Sequence, residues 1–189
     1  MFIGAEPIAA GRSPRRKLDD FSPHPDIFIR PATEGELGPL VELAAKLIPA
    51  LQGSLRAVER VQRYSGSILA ISNRDETAGC FAMLLLNPLG LSALRDGRLS
   101  VADPAHEHLV PIGTNAEAIY VWSVFAVPGT ARKATGNVMQ WLRQDAYAKA
   151  DLYARPGTLN GRAFMTRSGF RPLKSDLWFY SRSSSSADS

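Results

Sequence analysis

Apolar residues fall into blocks of two periodicities along the chain, and the order of those blocks defines its organisation. Ile27-Phe28-Ile29 is a short strand-like run halted by Pro31. Thr33 and Glu36 then stand three apart, the spacing of a capping box, and behind them Leu37, Leu40, Val41, Ala44, Leu47 and Ile48 recur at helical intervals. Pro49 and Gly53 punctuate before a second amphipathic stretch carrying Leu55, Val58, Val61 and Tyr64. Ser67–Ser72 and Ala78–Leu86, joined by Asn73-Arg74-Asp75, predict an antiparallel hairpin. A long irregular connection, 87–116, follows, with no more than a helical turn at Leu91–Leu94.

Ala118–Val127 is the strongest strand, apolar except for Ser123, as suits a central strand buried on both faces. Pro128-Gly129 ends it, a loop runs through Arg132 and Lys133 to Gly136, and a helix follows with Val138, Met139, Leu142 and Ala146 on one face. Asp151–Ala154 is a short strand. After Pro156-Gly157, Thr158 is placed to cap a helix that Gly169 stops, and Leu173–Ser181 is the last strand.

Residues 27–181 therefore form one domain, with 1–26 a flexible leader rich in proline and 182–189 a disordered serine-rich tail. A length of 189 residues is enough for one full core. No apolar run reaches the roughly 20 residues that span a bilayer, so no membrane segment is expected. The start of the chain does not read as a secretory signal, and the single cysteine, Cys80, permits no internal disulfide and no cysteine-rich zinc site. These features lead us to expect a cytoplasmic protein without a metal. The net charge of +4 favours an anionic ligand without arguing for nucleic acid. In residues 1–26 four basic residues balance four acidic ones, so the surplus lies in the folded part.

In this order the elements resemble a GNAT N-acyltransferase. Ile29-Arg30-Pro31-Ala32-Thr33 before the first helix, Asp151-Leu152-Tyr153-Ala154, Arg162-Ala163-Phe164-Met165 and Gly169-Phe170-Arg171-Pro172 carry the likeness. The resemblance implies an α+β fold: a central mixed, mostly antiparallel sheet with helices on both faces. It implies acetyl-CoA, or another acyl-CoA, as co-substrate, a small-molecule or peptide amine as acceptor, and pairing of two copies as one assembly.

The family's phosphate-binding segment falls on Pro128–Val138, where small residues let the backbone approach the pyrophosphate and a helix N-terminus faces it. It fits in two registers, Lys133/Gly136/Val138 or Ala131/Ala134/Gly136. The second is preferred, because it puts Thr135, Val138, Met139 and Leu142 on the buried helix face. Implied cofactor contacts are Phe125, Ala126 and Val127 at the strand end, Ala131, Arg132, Lys133, Ala134, Thr135, Gly136 and Asn137 beyond it, and Thr158.

Acyl transfer needs a proton acceptor for the amine, a donor for the carbonyl oxygen and a proton for the thiolate. Alternation puts Glu117, Val121, Ser123, Phe125 and Val127 on one face and Tyr120, Trp122 and Val124 on the other. Val121 stands where the family carries a glutamate and Met165 where it carries a tyrosine. Glu117 and Ser123 are the remaining candidates for base and acid, with His106 and His108 a further pair in the long connection. Cys80, within a strand, reads as core. A scaffold that binds coenzyme A or a partner without catalysis is the alternative these departures leave open.

Overall fold

The computed structural model describes residues 18–48, 54–74, 76–127 and 129–182. Residues 1–17 of the leader, the tail 183–189, and the punctuating Pro49, Gly53, Asp75 and Pro128 lie outside them. Seven strands form one sheet: β1 (Ile27–Pro31), β2 (Ile68–Asn73), β3 (Glu76–Leu86), β4 (Ala118–Ala126), β5 (Asp151–Ala154), β6 (Arg171–Pro172) and β7 (Trp178–Tyr180). Their order is β1-β2-β3-β4-β5-β7-β6, and every pairing is antiparallel except β4 with β5. The helices are α1 (Glu34–Leu47), α2 (Leu55–Ser65), α3 (Pro88–Arg95), α4 (Ala131–Trp141), α5 (Asp145–Ala148) and α6 (Leu159–Arg167). The α+β class expected from the order of blocks is the class observed.

Because side chains alternate along each strand, the sheet buries two separate apolar layers. On one face Leu37, Leu40 and Ala44 of α1, Val61 of α2 and Leu94 of α3 pack against Ile68, Cys80, Leu84 and Tyr120. On the other, Ala134, Val138, Met139 and Leu142 of α4 and Met165 of α6 pack against Leu69, Met83, Ile119 and Leu152. Helices thus cover both faces; Val138, Met139 and Leu142 of the expected stripe are buried, but α4 ends at Trp141 and Ala146 falls in the separate helix α5, outside the core. Among the described residues no helix is long and apolar enough to cross a membrane.

The first helix starts as its spacing predicts. The Glu36 carboxylate accepts hydrogen bonds from the Thr33 N–H at 2.9 Å and the Thr33 hydroxyl at 2.8 Å. It also receives both Arg30 guanidinium nitrogens, at 2.7 and 2.6 Å, and the Thr77 hydroxyl at 3.2 Å, so one side chain ties α1 to β1 and β3. Arg30 foremost, then the Thr33 and Thr77 donors, hold this carboxyl far below the usual carboxylate range, against a smaller opposing effect of burial. A folded value below the unfolded one means that the contribution is present above about pH 4.3 and is lost as the pH falls through the folded value. Arg30 is nearly half exposed, so solvent screening keeps the effect small. Glu36→Gln should cost about 1 kcal/mol at pH 7, and urea melts should show the difference from the parent narrowing from pH 7 to pH 2.

Four expectations change in the structure. Residues 18–26, expected in a flexible leader, include a 3-10 turn at Leu18–Asp20 whose Leu18 is buried in the α4 layer, and Phe21 lies 6.3 Å from the Phe164 ring. The connection after β3 begins with a full two-turn helix, α3, capped by Asn87 and opened by Pro88, where only a turn was expected. It is then fastened along its length: the Asn87 amide donates to the Glu107 and Leu109 carbonyls, Val110 N–H to Leu85, and Ile112 N–H to Tyr64. Of the last strand expected at Leu173–Ser181 only β7 forms, with β6 lying before it, because Ser175 and Asp176 both take positive φ and Leu173 N–H turns back to the Leu177 carbonyl at 2.7 Å. Finally, α4 begins at Ala131, so Ala131–Gly136 is helix and not loop.

Candidate active site

The site arises where two neighbouring strands part. β4 pairs with β3 through Phe125 and Ala126, but with β5 only as far as Val121, opposite Ala154. Beyond that point β5 gives way to Arg155 and Pro156, and residues 122–126 of β4 present to that side an edge without a ladder partner. Backbone groups there are available to a ligand.

A β-bulge sits at the same place. Ala82 pairs with Ser123 and Met83 with Val121, so Trp122 is an extra residue on β4. The strict alternation expected for this strand is therefore wrong beyond Val121. Ser123 and Phe125 do not share a face with Val121; the bulge turns them onto the α1/α2 face, alongside Tyr120 and Trp122. The indole Nε1 of Trp122 and the hydroxyl of Ser123 are buried there and without a hydrogen-bond partner. Both atoms are closed off from solvent, so each costs stability where it stands.

Tyr120 lies on the same face, 4% exposed. Burial pushes its phenol above the ordinary value, opposed by the charge and hydrogen bond of Arg155, the first residue beyond β5. Tyr120 and Arg155 escaped the sequence reading because nothing local to either residue signals their meeting. Cys80 lines the cavity between this face and the helices, and burial pushes its thiol up to about 12. It is a core thiol without nucleophilic character at neutral pH.

Next to the open edge is the start of α4. Gly129, at φ +84°, turns the chain, and Thr130 N–H bonds to the Val127 carbonyl at 3.1 Å. Thr130 is the N-cap residue but its side chain makes no capping bond, whereas Ser54, Asn87 and Thr158 each accept a helix N–H on α2, α3 and α6. The first amides of α4, Ala131 to Lys133, precede its first i to i−4 bond, from Ala134 N–H to the Thr130 carbonyl. Ala131, Arg132 and Lys133 are exposed. An uncapped N-terminus with two cations on its first turn is suited to an anion.

The structure divides the expected site residues. Ser123, Phe125, Ala126 and Val127 border the open edge, and Ala131, Arg132 and Lys133 border the start of α4. Ala134 is buried under the helix, and the Thr135 hydroxyl donates back to the Ala131 carbonyl. Gly136 and Asn137 serve the leader: a Cβ at Gly136 would collide with the Ser22 carbonyl oxygen and come within 2.8 Å of Pro23 N. The Asn137 amide oxygen accepts the His24 N–H at 2.8 Å, and its nitrogen donates to the His24 and Ile27 carbonyls at 3.1 and 2.7 Å. Neither is open to a cofactor. The Thr158 oxygen is engaged as the α6 cap, accepting from Gly161 N–H at 3.0 Å.

Glu117 lies before the first residue of β4, about 16 Å of extended chain from the bulge, exposed and at the wrong end for a base. His106 stacks on Tyr64 with ring centroids 4.6 Å apart, and His108 lies in the same turn, fastened to Asn87 through its carbonyl. Met165 is buried in the α4 layer, on the opposite face from Tyr120. Asn137→Ala should remove two bonds to the leader and one to β1, and hydrogen exchange at His24 and Ile27 should quicken by about tenfold or more, given roughly 1 kcal/mol per bond.

No family model and no curated protein matches this chain. Among solved structures, an N-acetyltransferase from Staphylococcus aureus Mu50 is similar over 80% of this chain and 97% of that one, with a TM-score of 0.46 and 14% identity.

Proposed function

We propose that this protein is an acyl-CoA-dependent N-acyltransferase, with coenzyme A lying along the open β4 edge and its pyrophosphate at the start of α4. The observation that carries this reading is the parting of β4 from β5 after Val121 beside an uncapped, cation-bearing helix N-terminus. A slot with free backbone donors fits the amide-rich pantetheine arm, and the helix start fits the phosphates. The sequence resemblance to the GNAT family points the same way. The acceptor is an amine of a small molecule or peptide.

In the reaction the amine lone pair attacks the thioester carbonyl carbon, the C–S bond breaks, and an amide and free coenzyme A result. A β4 backbone N–H polarises the carbonyl oxygen. The amine proton goes to water, since no carboxylate stands in this wall. Tyr120 keeps its proton at neutral pH and is the group on this face suited to protonate the leaving sulfur.

Calorimetric titration with acetyl-CoA, followed by an amine panel, tests the reading. Binding with transfer supports it, and no binding at millimolar cofactor overturns it. Tyr120→Phe should lower kcat by about a hundredfold with cofactor affinity unchanged; an unchanged kcat removes the tyrosine from the mechanism. A second reading, coenzyme A binding without transfer, is favoured by the distance of Glu117 and the burial of Met165 in the far layer. Binding without transfer to any amine would establish it.

A further inference from the structure

Behind the β4 bulge, between the sheet and the first two helices, lies a cavity of about 40 Å³. Val41, Ala44 and Val58 line it from the helices, and Ile68, Cys80 and Ala82 from the sheet. Leu40, Phe125, Trp122 and Ser123 complete the wall, and the last two each carry a buried polar atom that lacks a hydrogen-bond partner. No carboxylate, amide, histidine or cation is among its lining residues.

This chemistry discriminates between the two substrates of an acyl transfer. A protonated amine would enter an apolar wall with nothing to offset its charge, at a cost of several kcal/mol. An acyl chain is apolar and meets no such cost, while its carbonyl oxygen stays with the β4 backbone N–H. The volume sets a limit on chain length. At roughly 10–15 Å³ of such volume for each water-sized group, the cavity holds on the order of three carbon groups, the length of a butyryl tail.

We propose that this cavity is an acyl-chain pocket, and that the protein prefers a short-chain acyl donor of the propionyl or butyryl class over acetyl-CoA. The inference rests on the acyltransferase reading above and adds the identity of the transferred group.

Binding of coenzyme A, acetyl-, propionyl-, butyryl- and octanoyl-CoA, measured by calorimetry on the full chain, tests it. Each buried methylene should tighten binding by about fourfold, giving butyryl-CoA about fifteenfold over acetyl-CoA, with the gain lost at octanoyl. Val41→Phe or Ala44→Leu, each in the lining of the cavity, should erase that ranking while leaving affinity for free coenzyme A unchanged. The half-buried position of Val41 keeps the test usable if Ala44→Leu does not fold. Equal affinities for all thioesters, or a ranking unmoved by Val41→Phe, would overturn the pocket and leave the acyltransferase reading standing. So would an apolar amine that loses binding in Val41→Phe while the thioester ranking persists. No binding of coenzyme A in any form would overturn both.

Discussion

Reversing both charges on the first turn of α4, Arg132→Glu with Lys133→Glu, is expected to weaken coenzyme A binding by about a hundredfold or more while leaving the melting temperature unchanged or raised. The two readouts part because the helix and the ligand want opposite things. Carboxylates near a helix N-terminus interact favourably with its dipole, by about 0.3–1 kcal/mol each. A phosphate at the same place is repelled by them, and each 1.4 kcal/mol of repulsion is a factor of ten in affinity. Both side chains are exposed, so neither substitution disturbs packing. A fall in affinity with no fall in stability would locate the phosphates at this turn. Unchanged affinity would show that coenzyme A does not meet the α4 N-terminus.

The second large effect is expected at Gly79→Ala, with a loss of about 3 kcal/mol in stability, the upper part of the range for overpacking, and weakened cofactor binding. Gly79 pairs with Ala126 at the end of the β3–β4 ladder. A Cβ there would strike the Phe125 carbonyl oxygen and lie 2.7 Å from Ala126 Cα, so backbone and not a flexible side chain would have to move. The backbone displaced is the open edge of β4, which is why binding and stability should fall together. Urea melts and a coenzyme A titration on the same variant check this, and wild-type stability would refute it.

Much of this architecture is written in local patterns. The Thr33–Glu36 spacing names the start of α1, the stripe Val138, Met139, Leu142 names the face that α4 buries, and Thr158 names the start of α6. Each depends on residues within a few positions of one another, where periodicity and capping chemistry act. The site is legible only in part, since the order of elements and the basic pair Arg132-Lys133 point to the end of β4 without fixing what each residue does there.

Two features show why the remainder could not be read. Alternation along β4 is a rule for an unbroken ladder, and the extra residue at Trp122 exists only in relation to β3, where Ala82 and Met83 meet Ser123 and Val121. One inserted position exchanges the faces of everything beyond it, which is how Ser123 comes to share a wall with Tyr120. Gly136 has the small size expected of a phosphate loop, but that size is required by Ser22 and Pro23 crossing over α4. By itself the sequence determined α1, α2 and α6, the strands β1 to β5, their order along the chain and the basic character of the turn after β4. Only the tertiary structure decided the bulge, the point where β4 and β5 part, and the use of Asn137 as an anchor for the leader, because each is set by a contact between segments that lie tens of residues apart in the chain.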